Sequence, residues 1–182
     1  MEITIRDGGP DDIPVILGML DSCVEWLVGQ GRPGQWGTQP LSRSPRTVES
    51  VARYIEEGRV FVAEADGVPA ATLTITDAPG AYLAHLPPPG EPERYIHWLA
   101  SDRRFKGHGI GSALLAHAAE ETRRAGVALL RVDCYAGDDR RLVAYYEANG
   151  FAPTETYSAG ANGDWPGQVP AMRVLPWTSG RR

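Results

Sequence analysis

A glycine-rich segment that leads directly into a helix constrains this chain more than any other feature. Residues 103–126 read RRFKGHGIGSALLAHAAEETRRAG, with Gly107, Gly109 and Gly111 directly before a helical pattern. Glycine lets the backbone adopt positive φ and come close to a ligand. The first amides of a helix have no partner inside the helix, and they favour an anion. The segment therefore predicts an anion-binding helix start.

The charges of this helix support the same prediction. Its first turn has no acid, whereas acids come late and cations close it: Glu120, Glu121, Arg123 and Arg124. Three cations precede it, namely Arg103, Arg104 and Lys106, the last being the only lysine of the chain. The dipole of the helix is thus left open to an anion at its start. The alternative to an anion-binding site is a flexible loop whose cations are exposed to solvent and bind no ligand.

The glycine spacing narrows the choice of phosphate ligand. No G-x-x-x-x-G-K-[ST] motif occurs, which excludes a Walker A loop. Residues 107–112 do give G-x-G-x-x-S, and Asp133 ends the next predicted strand, as in a dinucleotide fingerprint. Such a fingerprint starts directly after its strand, whereas residues 102–106 intervene here. The chain is also too short for two dinucleotide-binding halves.

Composition excludes several classes of function. The chain has 182 residues, a net charge of -5 and a pI of about 5.4, which argues against a general nucleic-acid binder. Its two cysteines form neither a disulfide framework nor a metal cluster, so we expect no metal. No apolar run reaches the length of about 18 residues that spans a membrane. We therefore expect a cytoplasmic protein without a membrane or nucleic-acid partner.

Periodicity predicts an α/β domain spanning residues 1–182, with a mixed sheet. The turn signal Asp66-Gly67 separates two strands as a hairpin. The predicted strands are residues 2–6, 59–65, 69–76, 94–101, 127–135, 151–157 and 169–175, and the predicted helices are residues 12–28, 45–57, 109–125 and 138–149.

The glycine segment resembles a known signature. Lys106-x-x-Gly109-x-Gly111 is similar to the Q/R-x-x-G-x-G/A pyrophosphate motif of the GNAT (GCN5-related) N-acetyltransferase superfamily. YIHWLAS at residues 95–101 resembles that family's preceding strand, and AYYEANGF at residues 144–151 its Y-E-K-x-G-F ending. The matching core covers about residues 94–151. The resemblance implies a mixed, mostly antiparallel sheet with splayed central strands, flanked by helices.

The resemblance also implies acetyl-CoA as co-substrate. The pyrophosphate would lie on the amides of Lys106, Gly107, His108, Gly109, Ile110, Gly111 and Ser112. The pantetheine arm would run along Leu99, Ala100 and Ser101, with the Leu99 amide stabilising the oxyanion. Asp139 takes the position where the family often has an asparagine that touches pantetheine, although Asp138 or Asp139 could serve mainly as an N-cap.

Two side chains are candidates for proton transfer. Tyr146 occupies the position of the family's tyrosine acid, and the alternative is packing with Leu142 and Phe151. Strand alternation places His97 on one face with Tyr95, Leu99 and Ser101, which makes His97 a candidate base. The alternative for His97 is a core or substrate-orienting residue. His85 and His108 are weaker candidates.

The acceptor cannot be identified from sequence. Cys134 is expected in the core rather than as an acyl carrier. The acceptor pocket could be lined by four aromatic residues: Trp26, Trp36, Tyr82 and Trp165. Arg131 and Asp133 could either lie on the surface or contact the acceptor. We expect direct acetyl transfer in a ternary complex to a primary amine of a small molecule. Three alternative functions remain: a catalytically silent CoA-binding module, acetylation of a protein N-terminus, and a nicotinamide oxidoreductase. The oligomeric state is open, and a homodimer is possible.

Overall fold

The structure is a computed structural model, and it describes residues 1–175. The helices and strands follow the predicted order, with the strand predicted over residues 127–135 divided in two. In chain order they are β1 (Ile3–Asp7), α1 (Ile13–Gly29), α2 (Pro45–Glu57), β2 (Arg59–Ala65), β3 (Val68–Thr76), β4 (Arg94–Ser101), α3 (Ile110–Arg124), β5 (Leu129–Val132), β6 (Cys134–Tyr135), α4 (Arg141–Ala148), β7 (Ala152–Ala159) and β8 (Trp165–Arg173).

The sheet has eight strands in the order β1-β2-β3-β4-β5-β8-β6, and β7 pairs with β8. The pairs β1–β2, β2–β3, β5–β8, β6–β8 and β7–β8 are antiparallel, whereas β4–β5 is parallel. The parallel pairing joins Arg94–Ile96 to Leu130–Val132, although β4 continues to Ser101. The predicted fold class is therefore confirmed, including the splayed central strands.

The chain forms two compact units. The first comprises Met1–Thr76 and His97–Leu114, and the second comprises Asp77–Ile96 together with the described residues from Leu115 onward. The single acetyltransferase domain at residues 1–182 stays a prediction, and its residues 176–182 lie outside the described part of the chain.

The first unit packs α1 and α2 on their apolar faces. Its core cluster contains Ile16, Leu20, Val51, Ile55 and Val60, all buried. Local signals set the elements: the Ser44 side chain accepts a hydrogen bond from the Thr47 amide at the start of α2. Asp66 and Gly67 both have positive φ, 49° and 79°, as the two central residues of a tight hairpin require.

The second unit has its own cluster of Leu83, Tyr95, Tyr157 and Val169. Two predictions about this unit were wrong. The strand predicted over residues 127–135 is interrupted at Asp133, which lies between β5 and β6. The helix predicted from Asp138 begins at Arg141, because residues 138–140 all have positive φ of 52° to 67°.

This left-handed segment also overturns the expected cap of the last helix. The N-cap of α4 is Arg140, and no side chain caps the helix there. Asp138 and Asp139 therefore do not act as its N-cap. Backbone in this region suits Asp better than Arg, since a short polar side chain tolerates positive φ.

Candidate active site

The loop between β4 and α3 has the backbone that the sequence predicts. Gly107 and Gly109 adopt positive φ of 85° and 71°, and α3 begins at Ile110. A Cβ atom added at Gly109 would meet no atom within 4 Å, so the space above this residue is open. The first turn of α3 has no acid and its last turn carries Arg123 and Arg124. The open end of the helix dipole therefore faces free space.

Most amides of this loop are available to a ligand. Among the described residues, no backbone oxygen accepts from the amides of Gly107, Gly109, Ile110, Gly111 or Ser112. Two amides of the predicted set are already used. The Lys106 amide donates to the Arg103 oxygen at 3.2 Å, and the His108 amide donates to the Phe105 oxygen at 3.4 Å. The loop thus offers five donors, a number suited to a multiply charged anion.

The cations beside the loop are held by two different partners. The Lys106 Nζ atom and the Arg103 guanidinium lie 4.6 and 4.0 Å from the centre of the Trp26 ring in α1. Arg104 instead forms an ion pair with Asp102 at 2.7 Å. Trp26 therefore organises two of the three predicted cations through cation–π contacts, a role that the sequence did not indicate.

In strand β4, the regular alternation of side chains between the two faces of the sheet is interrupted at Trp98. This residue has a φ of 51°, which is rare for a large side chain in a strand. Its indole Nε1 donates to Ser50 Oγ in α2 at 3.1 Å, and its ring lies 6.3 Å from that of Trp36. His97 and Trp98 both contact α2, so the assumed alternation of faces along residues 95–101 was wrong.

His97 is buried and held on two sides. Its side chain is 5% exposed, its Nε2 lies 2.8 Å from Thr76 Oγ1, and its ring stacks on Tyr54 at 3.7 Å between centres. Such contacts fix the ring orientation, as both a base and an orienting residue require. The catalytic role of His97 stays a prediction.

Tyr146 in α4 is buried, with 4% of its surface exposed. Its ring makes edge contacts with Tyr145 at 5.5 Å and Phe151 at 5.6 Å. Burial, followed by the charges of Cys134, Tyr145 and Asp133, raises the pKa of Tyr146 well above its ordinary value. The phenol therefore keeps its proton at neutral pH, as a proton donor must. Its role as the acid stays a prediction.

Two further predicted residues lie in the same unit. Cys134 is buried, and burial raises the pKa of its thiol to about 12. It is therefore a neutral thiol at physiological pH and a poor nucleophile. Asp139 is exposed, with its carboxylate 3.9 Å from the Arg141 guanidinium. Its predicted contact with pantetheine stays a prediction.

The structure reveals a polar cluster that the sequence analysis missed. Asp133 accepts hydrogen bonds from three tyrosine hydroxyls: Tyr82 at 2.8 Å, Tyr95 at 2.9 Å and Tyr157 at 2.7 Å. Burial raises the pKa of the Asp133 carboxyl, and the three tyrosine donors oppose that effect. Burial and the charge of Asp133 raise the pKa of Tyr95 and Tyr157, which keeps both as neutral donors.

Arg131, which the sequence left open together with Asp133, has a structural role instead. Its guanidinium pairs with Glu93 through two nitrogens, and both side chains are buried. Glu155 lies 3.5 Å from the same guanidinium. These carboxylates neutralise Arg131, so it has no free charge to offer a ligand.

Other features of the described residues bear less on catalysis. A surface cleft in the first unit is lined by residues from Asp7 to Pro10 and around Ile55 and Arg59, and it contains no predicted site residue. Within residues 1–175, no three His, Cys, Asp or Glu side chains are grouped so that they could hold a metal ion. No helix in that part of the chain is both long and apolar enough to cross a membrane.

A helix that starts with amides unpaired in the described part of the chain and with no acid, after a splayed strand in a sheet of this order, is the arrangement expected of an N-acetyltransferase. Residues 21–151 match the family model described as the acetyltransferase (GNAT) family. An uncharacterized N-acetyltransferase, YesJ of Bacillus subtilis strain 168, is 31% identical over 149 residues, which cover 78% of this chain and 77% of YesJ. The chain belongs to the GNAT acetyltransferase family.

Solved structures of other proteins share this fold. The ribosomal-protein-S18-alanine N-acetyltransferase from Escherichia coli superposes with a TM-score of 0.67 at 18% identity, over 100% of this chain and 99% of that one. The structure of yncA from Salmonella typhimurium with its cofactor acetyl-CoA gives a TM-score of 0.63 at 16% identity, over 97% and 96%. The family uses acetyl-CoA, which confirms the predicted co-substrate.

Proposed function

We propose that this protein transfers the acetyl group of acetyl-CoA to a primary amine of a small molecule, by direct attack in a ternary complex. The observation that carries the proposal is the segment at residues 107–112, which spans the end of the loop and the first turn of α3. Five of its amides have no backbone acceptor within residues 1–175, and the first turn of α3 has no acid. The diphosphate of CoA is a multiply charged anion of the kind that such a loop binds. Trp26 holds Lys106 and Arg103 beside the loop, where they add positive charge.

The proposed mechanism needs an oxyanion donor near the thioester carbonyl. β4 pairs with β5 only over its first three residues, as far as Ile96. We propose that pantetheine runs along Leu99, Ala100 and Ser101, and that the Leu99 amide donates to the carbonyl oxygen. A single fixed donor of this kind contributes about 10²- to 10³-fold in kcat.

The remaining steps move protons. The neutral amine attacks the carbonyl carbon, the C–N bond forms, and the C–S bond breaks as the tetrahedral intermediate collapses. Tyr146 is the proposed donor of a proton to the leaving thiolate. The amine loses its proton to the proposed base His97 or to water. Asp139, two residues before α4, is the proposed pantetheine contact.

A covalent acetyl-enzyme is not part of this proposal. Cys134 is buried, and the pKa of its thiol is raised to about 12, so little thiolate forms near neutral pH. Direct transfer needs no such nucleophile.

Initial-rate kinetics with acetyl-CoA and an alkylamine both varied will test this proposal. Direct transfer predicts intersecting double-reciprocal lines, and intact-mass spectra of the protein without a stable added acetyl group. Parallel lines together with an acetylated protein would overturn the ternary-complex mechanism. The matched control is Cys134→Ala, which should keep the same pattern and a similar kcat.

A further inference from the structure

The second unit contains a carboxylate with hydrogen-bond donors but without a cation. Asp133 receives three phenol hydroxyls, and no ion pair neutralises it within residues 1–175. Phenols donate hydrogen bonds but carry no positive charge. A partly buried carboxylate that lacks a cation is costly to the folded protein.

A neighbouring carboxylate shows that the fold can neutralise such a charge. Glu93 is buried, and it pairs with Arg131 through two hydrogen bonds. Arg131 and Asp133 are two residues apart in the chain, yet the guanidinium goes to Glu93 and Glu155. The missing partner of Asp133 is therefore a specific feature of this position.

The tyrosines that donate to this carboxylate belong to a larger group of aromatic rings. The rings of Tyr82 and Tyr157 lie 6.4 Å apart, and Trp165 lies 6.1 Å from Tyr157 and 5.2 Å from Tyr135. Tyr82 is 47% exposed although its hydroxyl reaches Asp133, so it connects the cluster to solvent. A carboxylate within a set of electron-rich rings attracts an organic ammonium group, by charge and by cation–π contact.

The cluster also lies in the same part of the molecule as the proposed acid. Asp133 directly precedes β6, and β6 contacts α4, the helix that carries Tyr146. Asp133 and Tyr146 both belong to the second unit, so an ammonium group bound at Asp133 would lie in the unit that carries the proposed acid.

We propose that Asp133, with Tyr82, Tyr95 and Tyr157, is the recognition site for an alkylammonium group of the acceptor. This inference rests on the proposed acetyl transfer and narrows the acceptor to aliphatic amines that carry positive charge at neutral pH. Neutral arylamines have no charge for Asp133 to bind. The ammonium is either the reacting nitrogen before it loses its proton or a second nitrogen of the same molecule.

Binding of butylammonium chloride in the absence of acetyl-CoA tests this site without any turnover. Calorimetric or NMR titration at neutral pH should show that the protein binds butylammonium at least about 10-fold more tightly than 1-butanol, which has a similar size and no charge. Asp133→Asn should weaken butylammonium binding by about 10-fold or more and leave 1-butanol unchanged.

Two sets of control variants distinguish the effect of the Asp133 charge from a general change in net charge or in folding. Asp11→Asn removes the same charge at an exposed position of the first unit and should keep affinity within about 3-fold. Tyr82→Phe keeps the ring and should retain binding, whereas Tyr82→Ala removes the ring and should weaken it. Acetyl-CoA binding by each variant, together with its circular dichroism spectrum, establishes that the protein has folded.

Equal butylammonium affinity in folded Asp133→Asn and wild type would overturn the inference, as would equal binding of 1-butanol and butylammonium. Acetyl transfer that continues under either result would leave the proposed function standing. Conversely, butylammonium binding that depends on Asp133, without any acetyl transfer, would reject the proposed function alone. If the protein acetylates amines, the KM values of propylamine and 1,4-diaminobutane in Asp133→Asn show which nitrogen Asp133 binds. A higher KM for both amines indicates that Asp133 binds the nitrogen that is acetylated. A higher KM for the diamine alone indicates that it binds the second nitrogen.

Discussion

Tyr146 is a buried phenol that stays protonated at neutral pH, which is the state that a proton donor to the leaving thiolate needs. We expect Tyr146→Phe to lower kcat by roughly 10- to 10⁴-fold, the range for one acid–base group, with acetyl-CoA affinity nearly unchanged. Steady-state kinetics and acetyl-CoA titration measure both quantities. Tyr145→Phe is the matched control, because its ring touches that of Tyr146, and it should change kcat much less. Equal losses in both variants, or unfolding of Tyr146→Phe, would show that Tyr146 serves packing.

The role of His97 can be tested by comparing how its replacement changes kcat and how it changes the acceptor KM. If His97 is the base, His97→Ala should lose kcat across the pH range while the acceptor KM changes little. If His97 orients the substrate, the acceptor KM should rise and the pH profile should keep its shape. Thr76→Val removes the hydroxyl beside Nε2 while nearly preserving volume, and it is the matched variant for the loss of that contact. A His97→Ala profile identical to wild type would remove His97 from the mechanism.

Asp133 should cost stability rather than supply it. Burial raises the pKa of its carboxyl above the ordinary value of 3.8, so the folded protein binds this proton more strongly than the unfolded chain does. Raising the pH ionises the carboxyl and lowers the free energy of unfolding. Asp133→Asn has no such group, so its stability relative to wild type should increase as the pH rises from the ordinary carboxyl pKa of 3.8 through the raised pKa of the folded protein. Denaturant unfolding at several pH values measures this, and a relative stability that falls with pH would contradict it.

The residue scale also shows where prediction from sequence fails. Gly107 and Gly109 act through their own backbone, so local sequence was enough to identify the loop. Asp133 acts through tyrosines that lie 51, 38 and 24 positions away in the chain. Such partners come together only through the fold, and nothing in the order of residues marks them.

At the scale of elements, the junction of β4 and α3 carries the proposed cofactor site. Gly109 has a φ of 71° and open space beside it. Both Asp and Asn tolerate positive φ, and they differ mainly in charge. We expect Gly109→Asp to abolish measurable acetyl-CoA binding, since its carboxylate would repel the diphosphate at the proposed site, and Gly109→Asn to retain much more of it. Calorimetric titration compares them, and equal affinities of the two variants would contradict an anion site at this loop.

The shape of β4 could not be predicted in the same way. Sequence placed its ends correctly at Arg94 and Ser101. The positive φ of Trp98 is stabilised by contacts with Ser50 and Trp36, which come from other parts of the first unit. Alternation is a local rule, and a tertiary contact overrides it here. The strand break at Asp133 and the start of α4 at Arg141 likewise depend on backbone conformations that the local sequence pattern does not indicate.

At the scale of the whole molecule, the sequence predicted the class of fold and the family. The order of helices and strands was correct apart from the divided strand, and the glycine signature lay directly before α3 as expected. These features depend on periodicity and local turns, which sequence contains. The proposed acceptor site depends on side chains from several elements, which explains why the order of residues did not indicate it.

Formation of an N-acetylated amine tests the central claim most directly. Wild type should be incubated with acetyl-CoA and a panel of amines, from alkylamines and diamines to an arylamine and a peptide N-terminus, with product identified by mass spectrometry. We expect acetylated product from the cationic alkylamines when both substrates are present, and none when either is omitted. Tight acetyl-CoA binding without product from any amine would contradict the claim and identify a silent CoA-binding module instead.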